Sequence, residues 1–178
     1  MEARRRPVLK LGVVDLGVET ATLPNGVTVD LAIVRHPGAC AMVALYDDGT
    51  IAMLRQYRHA IGGYLIEVPA GCRDAGETPR QCAERELREE AGLNASRWDH
   101  LGSIITIPSI CDERIELFLA RELNEVPRQL EHDEVIGDIE RVKLADALAK
   151  IRRGEIIDAK TIAALYHASA FLEAERRR

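Results

Sequence analysis

The sequence predicts an α/β fold in a chain long enough to form one domain with a small appended segment. Apolar and polar residues alternate over 27–33, which is the period of a half-buried strand. From Thr78 the apolar residues instead recur at helical spacing, and the chain ends in two more segments of helical character. With 178 residues, 47% of them apolar, the chain can bury a core without disulfides or a structural metal.

Turn signals divide the first half of the chain into strands. A Pro-Asn-Gly sequence at 24–26 precedes the alternating segment, and an Asp-Asp-Gly-Thr sequence at 47–50 separates two more apolar runs. The predicted strands are 27–33, 41–46, 51–54, 65–68, 104–107 and 115–120, followed by a loop at 121–133 and helices at 145–152 and 161–175.

The central helix has strong signals at both ends. Thr78 is a suitable N-cap, Pro79 suits the first helical position, and Gln81 completes a capping box. Gly92 then supplies a natural stop just beyond the last turn. The sequence therefore predicts a helix between Thr78 and Gly92.

Charge and composition exclude several classes of protein. The 24 basic and 29 acidic residues give a net charge of −5, and only 4% of residues are aromatic, which disfavours a nucleic-acid binder. No apolar run approaches the ~20 residues of a membrane helix, and the first residues lack a signal-peptide core. The four cysteines match no zinc or thioredoxin spacing. We therefore expect a cytoplasmic protein that binds neither nucleic acid nor membrane.

Three carboxylates of the central helix share one face. Glu86, Glu89 and Glu90 lie at helical spacings of three and four residues, so their charges repel unless a cation lies among them. A hard divalent cation with oxygen ligands is a natural partner. Arg85 can hold one of the carboxylates in place by a charge-assisted hydrogen bond, and Glu77 is close enough to reach the same cluster. Taken alone, this pattern also fits a solvated acidic helix face.

The full pattern around these acids decides between the two interpretations. The segment 71–93 fits G-x5-E-x7-R-E-U-x-E-E-x-G-U, in which U is apolar, without a gap. This pattern resembles the Nudix box, and the chain is identified as a member of the Nudix hydrolase family. The resemblance implies a Nudix α/β/α sandwich with a mixed sheet.

The resemblance extends to one branch of that family, the ADP-ribose pyrophosphatases and related nucleoside diphosphate sugar hydrolases. The segments 55–58 (Arg-Gln-Tyr-Arg), 67–71 (Glu-Val-Pro-Ala-Gly) and 154–161 are similar to sequences of that branch, and Pro108 occupies the place of a proline there. The departure lies at 108–113, where the branch usually has a glycine after the proline and a threonine before the acidic pair. Because that loop borders the terminal sugar in relatives, the accepted sugar stays open.

The resemblance implies a metal site on the central helix. The Ala70 carbonyl, Glu86 and Glu90 are expected to bind the ion directly, and Glu89 a further ion or its water. Mg²⁺ is the expected cofactor, with Mn²⁺ as the alternative.

Water attack on the diphosphate also requires a general base. In this branch the base is a glutamate of a late loop, which suggests Glu134, with Glu131 and Asp133 as competing candidates. Glu89 and Arg85 complete the expected catalytic set, and an ordinary solvated acid is the alternative interpretation of Glu134.

Expected substrate contacts lie in the strand motifs and in the departing loop. Arg55 and Arg58 are candidates for the diphosphate, but their spacing puts them on opposite faces of a strand, so one of them should face away. Glu67 and Glu113 are further candidates, the latter for the terminal sugar. Residues 160–161 are expected to anchor the last helix rather than to touch substrate.

The leading expectation is Mg²⁺-dependent hydrolysis of ADP-ribose to AMP and ribose 5-phosphate. The alternatives are a hydrolase of another nucleoside diphosphate sugar, such as a GDP- or UDP-hexose, and a non-catalytic Nudix module that only binds nucleotide. The resemblance further implies a homodimer, in which an N-terminal β segment at 1–35 exchanges between subunits while 36–178 forms the Nudix domain.

Overall fold

The computed structural model describes residues 4–130, 132 and 134–178. Within them lie ten strands, three α-helices and one turn of 3₁₀ helix at His59–Ile61. The strands are β1 (Arg4–Leu11), β2 (Val14–Thr22), β3 (Thr28–Arg35), β4 (Ala39–Ala44), β5 (Thr50–Arg58), β6 (Gly63–Glu67), β7 (Ala70–Cys72), β8 (Leu93–Ile105), β9 (Arg114–Glu125) and β10 (Glu140–Lys143). The helices are α1 (Pro79–Ala91), α2 (Leu144–Arg152) and α3 (Ala159–Arg176).

The strands form three sheets. The central sheet is mixed, with the order β7-β4-β9-β8, and its β4–β9 pair is parallel while the other pairs are antiparallel. A second, antiparallel sheet has the order β10-β5-β6. The first three strands form a separate antiparallel sheet, β1-β2-β3, at the N-terminus.

Strand β4 lies at the centre of a three-layer sandwich. All six of its residues are buried, because each face of the strand is covered by a helix. Ala41 and Val43 belong to a core cluster that includes Leu165 of α3. Met42, on the other face, packs in a cluster with Leu87 of α1. The α/β/α sandwich with a mixed sheet is therefore confirmed.

The central helix has the predicted ends. The Thr78 hydroxyl accepts a hydrogen bond from the Gln81 backbone N–H, while the Gln81 side chain accepts one from the Thr78 N–H, so the capping box is complete. Gly92 ends the helix in the left-handed conformation, with φ of 62°. In the part of the chain that is described, no helix is both long and apolar enough to cross a membrane.

Several segments differ from the sequence prediction. The prediction of a loop at 121–133 is wrong for its first part, because β9 continues to Glu125 and pairs there with Leu93 at the start of β8. The backbone hydrogen bonds of this long hairpin stabilise the strands although their ends are polar. Strands β7 and β10 and the first part of β8 were not predicted. Strands β1 and β2 were also not predicted, since their basic and acidic residues obscure the strand period.

Candidate active site

The acidic face of α1 lies directly against strand β7. The buried carboxylate of Glu90 accepts a hydrogen bond of 2.7 Å from the backbone N–H of Ala70. The Glu86 carboxylate occupies the space above Gly71, where a Cβ atom would lie 2.0 Å from its carboxyl carbon. Only glycine leaves room for Glu86 at this position, so the strand and the helix are fitted to each other around the two carboxylates.

Arg85 joins the remaining acids of the face. Its Nη1 donates to Oε1 of Glu86 at 2.6 Å and to Oε2 of Glu89 at 3.1 Å. Its Nε and Nη2 each donate to the Glu77 carboxylate at 3.0 Å, which holds the pKa of Glu77 below its usual range. Arg85 thus fixes three glutamates, where its position in the sequence predicted a bond to one.

The buried carboxylates remain under electrostatic strain. Burial raises the pKa of Glu86 to about 7 and that of Glu90 to about 8, because a charge loses the solvation of water. Repulsion by the charge of Glu134 raises both pKa values further, so this late-loop residue acts electrostatically on the pair. A cation placed here would relieve the repulsion.

The residues of this face suit a hard divalent cation. Their donor atoms are all oxygens, the ligands that Mg²⁺ and Mn²⁺ prefer. Across residues 4–130, 132 and 134–178, however, no three acidic, histidine or cysteine side chains converge as a ready-made ion site. The reason is that Glu86 and Glu89 are turned to Arg85, and Glu90 to the Ala70 N–H. The assignment of metal ligands therefore stays a prediction.

Glu134 is half-buried and is carried by a segment that pairs with β5. The backbone N–H of Tyr57 donates to the Val135 carbonyl, and that of Gly137 to the Arg55 carbonyl, both at 2.9 Å. Arg128 Nη1 donates to the Gly137 carbonyl at 2.9 Å. The competing base candidates, at 131 and 133, lie outside the described residues.

A cavity of about 430 Å³ opens beside the acidic face. Two of its lining residues, Ala70 and Gly71, lie against the carboxylates of that face. Its lining combines positive side chains with carboxylates, a mixture suited to a charged, hydroxyl-rich ligand. The residues that line it are Ala39, Arg58, Ala70, Gly71, Cys72, Thr106, Ile107, Glu113, Ile115, Asp158, Ala159 and Lys160.

A buried carboxylate holds the two cations of this cavity. Glu67 is 1% exposed and accepts hydrogen bonds from Nε and Nη2 of Arg58, at 2.9 and 2.6 Å, and a short one from Nζ of Lys160. Burial opposes its charge, but Arg58 and Lys160 outweigh burial and lower the pKa of Glu67. Glu67 therefore lies beneath the cations, not on the open surface of the cavity.

The two arginines of β5 lie on opposite faces of the strand, as the two-residue period of a strand predicts. Arg58 lines the cavity, whereas Arg55 is exposed on the other face and stacks on Tyr64, with its guanidinium carbon 4.8 Å from the ring centre. Glu113 also lines the cavity, where its Oε2 accepts a hydrogen bond of 2.5 Å from the Thr106 hydroxyl.

Comparisons with known proteins show the family of this chain. A family model described as the NUDIX domain matches residues 34–165, which is most of the chain. The chain belongs to the Nudix family. This Nudix hydrolase is 40% identical over 157 residues to an ADP-ribose pyrophosphatase of Bacillus subtilis (strain 168), covering 87% of this chain and 84% of the relative.

Two further matches support the family and the fold. An ADP-ribose pyrophosphatase of Mycobacterium tuberculosis (strain ATCC 25618 / H37Rv) is 43% identical over 143 residues, covering 79% of this chain and 69% of the relative. The crystal structure of an ADP compounds hydrolase matches with a TM-score of 0.83, covering 100% of this chain and 98% of that one. At 20% identity, that structure supports the fold of this Nudix hydrolase.

Sequence reasoning about this Nudix hydrolase missed one residue. Lys160 was expected only to anchor α3, but it lines the cavity and bonds Glu67. Thr161 does have the anchoring role, since its buried hydroxyl accepts a hydrogen bond of 3.1 Å from the Val68 N–H. The signal available was the position of Lys160 inside the segment 154–161, which resembles the branch.

Proposed function

We propose that this Nudix hydrolase is a Mg²⁺-dependent ADP-ribose pyrophosphatase that forms AMP and ribose 5-phosphate. The observation that carries the proposal is a cavity lined by the cations Arg58 and Lys160. Two further lining residues, Ala70 and Gly71, lie against the carboxylates of α1. A diphosphate needs both positive partners and a metal-activated water. The two relatives named ADP-ribose pyrophosphatase, at 40% and 43% identity, support the choice of substrate.

The metal would be held by the side chains of Glu86, Glu89 and Glu90 with the Ala70 carbonyl. When bound, a divalent ion neutralises the diphosphate and lowers the pKa of a water molecule. Arg85 keeps Glu86 and Glu89 on the correct side of α1 through its hydrogen bonds to both. In this account Arg85 is a positioning residue.

The diphosphate would bind to Arg58 and Lys160. Both cations are already fixed by Glu67, so little side-chain freedom is lost when the substrate arrives. Glu67 thus positions the cations instead of touching the substrate. Arg55 lies on the opposite face of β5 and has no part in this binding.

Glu134 would accept the proton of the attacking water. Its charge acts on Glu86 and Glu90, which supports a role for Glu134 beside a water activated by a metal ion at these carboxylates. The pairing of 135–137 with β5 carries it at the edge of the site. A carboxylate in this position can take the proton as the oxygen–phosphorus bond forms.

We further propose that the protein is a homodimer formed through its N-terminal segment, 1–35. Strand β1 and the residues after it expose apolar side chains, among them Val8 (54%), Leu9 (51%) and Leu11 (73%). Exposed apolar groups concentrated in one sheet favour burial against a second copy. A dimeric mass by light scattering at micromolar concentration supports this, and a monomeric mass with full activity contradicts it.

The four free cysteines suit a cytoplasmic location.

A substrate panel tests the activity. The protein is incubated with ADP-ribose, GDP-mannose or UDP-glucose, with Mg²⁺ or with EDTA, and the products are separated by ion-exchange chromatography. We expect ADP-ribose to give the highest kcat/KM, only with the metal. A higher kcat/KM for a hexose substrate would favour the alternative suggested by the unusual loop at 108–113. Absence of turnover with all three substrates would reject the proposed activity.

A further inference from the structure

The loop that carries Glu113 is tied to the end of strand β3. The Val34 backbone N–H donates to the Ile110 carbonyl at 2.8 Å, and the Asp112 N–H donates to the Val34 carbonyl at 3.3 Å. Val34 and Cys111 also form an isolated parallel β-bridge. The N-terminal sheet thus holds the backbone of a loop that borders the cavity.

Side chains strengthen this connection. Both carboxylate oxygens of Asp112 are bonded, Oδ2 by Nη1 of Arg35 at 2.9 Å and Oδ1 by the backbone N–H of His36 at 2.8 Å. The same arginine bonds the buried Glu19 of β2 through Nε and Nη2, at 2.9 and 2.6 Å. Arg35 therefore links the inside of the N-terminal sheet to the loop.

The side chain of Glu113, the next residue along the loop, faces the cavity and not Arg35. It lines the cavity, and its two oxygens have different neighbours. The Thr106 hydroxyl bonds Oε2 at 2.5 Å, and Nε2 of His36 lies 3.6 Å from Oε1. His36 thus touches both acids, Asp112 through its backbone and Glu113 through its ring.

We propose that Arg35 and Asp112 are positioning residues for recognition of the terminal sugar. Together they form a clamp that fixes the loop so that the Glu113 carboxylate accepts hydrogen bonds from sugar hydroxyls in the cavity. A carboxylate is an acceptor with two oxygens, which suits a pair of neighbouring hydroxyls. The inference rests on the proposed function, because it assigns one end of the same cavity to the sugar.

The clamp should act on binding more than on stability. The side chains of Arg35 and Asp112 are 47% and 43% exposed, and exposed ion pairs add little to the stability of a protein. Loss of this pair alone, as in Asp112→Asn, therefore leaves a folded protein in which Glu113 is no longer held in one orientation. Arg35→Met also removes two hydrogen bonds from the buried Glu19, which keeps its 2.7 Å bond to Arg5.

Two substitutions remove the clamp in different ways. Asp112→Asn can keep the acceptor for the His36 N–H but loses the charge that pairs with Arg35. Arg35→Met removes the guanidinium and keeps most of the apolar stem. As a matched control, Arg141→Gln breaks the Arg141–Asp48 pair, which has a similar length of 3.0 Å and a similar exposure but lies away from the cavity.

Two measurements, the KM for ADP-ribose and the inhibition by ADP, distinguish binding of the terminal sugar from binding of the rest of the substrate. We expect both clamp variants to raise KM for ADP-ribose about tenfold, the effect of losing one charge-assisted hydrogen bond, with kcat within about threefold of wild type. Inhibition by ADP, which lacks the terminal sugar, should stay unchanged. The double variant should be no worse than either single one, because both act through the same contact.

Several outcomes would overturn the clamp. One is that the wild-type protein hydrolyses ADP-ribose and both clamp variants have the same KM for ADP-ribose as the wild type. Another is that ADP inhibition weakens in parallel with substrate binding, or that Arg141→Gln has the same effect. If wild type instead prefers another nucleoside diphosphate sugar, the same comparison is made with that substrate and its nucleoside diphosphate. If wild type hydrolyses none of these substrates, the proposed function fails, and the clamp fails with it.

Discussion

The backbone N–H of Ala70 donates a 2.7 Å hydrogen bond to Glu90, and this bond joins the acidic helix α1 to strand β7. The contact puts a buried carboxylate next to Ala70, which lines the cavity. The acid is then fixed on a rigid element, which a catalytic or metal-binding group requires.

The burial of Glu86 and Glu90 predicts a pH-dependent stability of the metal-free protein. Their pKa values of about 7 and about 8 exceed the value of 4.5 expected for an unfolded chain, so the folded state binds more protons between these limits. The free energy of unfolding therefore falls as the pH rises from about 5 to 8. Glu67 does not oppose this trend, because its lowered pKa makes its contribution complete above its unfolded pKa.

Thermal unfolding in EDTA across this range measures the effect. We expect the Tm of wild type to fall with rising pH and Glu90→Gln to flatten the slope, because an amide cannot ionise. Glu84→Gln, an exposed acid of the same helix, is the control and should keep the wild-type slope. An unchanged slope in Glu90→Gln would contradict the assigned burial.

Gly71→Ala should abolish most of the activity. The new Cβ would lie 2.0 Å from the Glu86 carboxyl carbon, so the carboxylate must move away from the strand. We expect kcat/KM to fall at least ~10²-fold, as for a lost metal ligand, while overpacking lowers stability by about 1–3 kcal/mol. Gly63→Ala is the control, since its Cβ would meet no atom within 4 Å. Equal activity of the two variants would show that Glu86 does not need this space.

Local signals explain why α1 could be predicted from the sequence. The capping box of Thr78 and Gln81 and the stop at Gly92 depend on residues within one or two turns. The acidic face follows from helical spacing alone, and Arg85 was correctly placed beside it.

Contacts between distant parts of the chain could not be predicted in the same way. Lys160 bonds Glu67 across 93 positions, and Arg35 bonds Asp112 across 77. Such pairs depend on how sheets and helices pack, for which a single sequence has no periodic signal. The place of Lys160 in the cavity lining was therefore missed, and Glu67 was expected as a substrate contact, whereas it lies beneath the two cations.

We expect a substitution in the late loop to affect the catalytic step without affecting substrate binding. If Glu134 accepts the proton of the attacking water, Glu134→Gln should lower kcat by roughly 10²–10⁴ and leave KM nearly unchanged. Glu131→Gln and Asp133→Asn, measured separately, test the competing acids. A variant of Glu134 close to wild type, together with a large loss in one of the others, would assign the base to that residue.

The central claim is that the carboxylates of α1 support metal-dependent hydrolysis of ADP-ribose. The most direct test is the rate at which wild type and Glu86→Gln form AMP and ribose 5-phosphate across a range of Mg²⁺ concentrations. We predict equal amounts of the two products from wild type. For Glu86→Gln we predict at least ~10²-fold lower activity and a higher Mg²⁺ concentration at half-maximal rate. Near wild-type turnover of Glu86→Gln at saturating Mg²⁺, or no hydrolysis of ADP-ribose by wild type, would contradict the account.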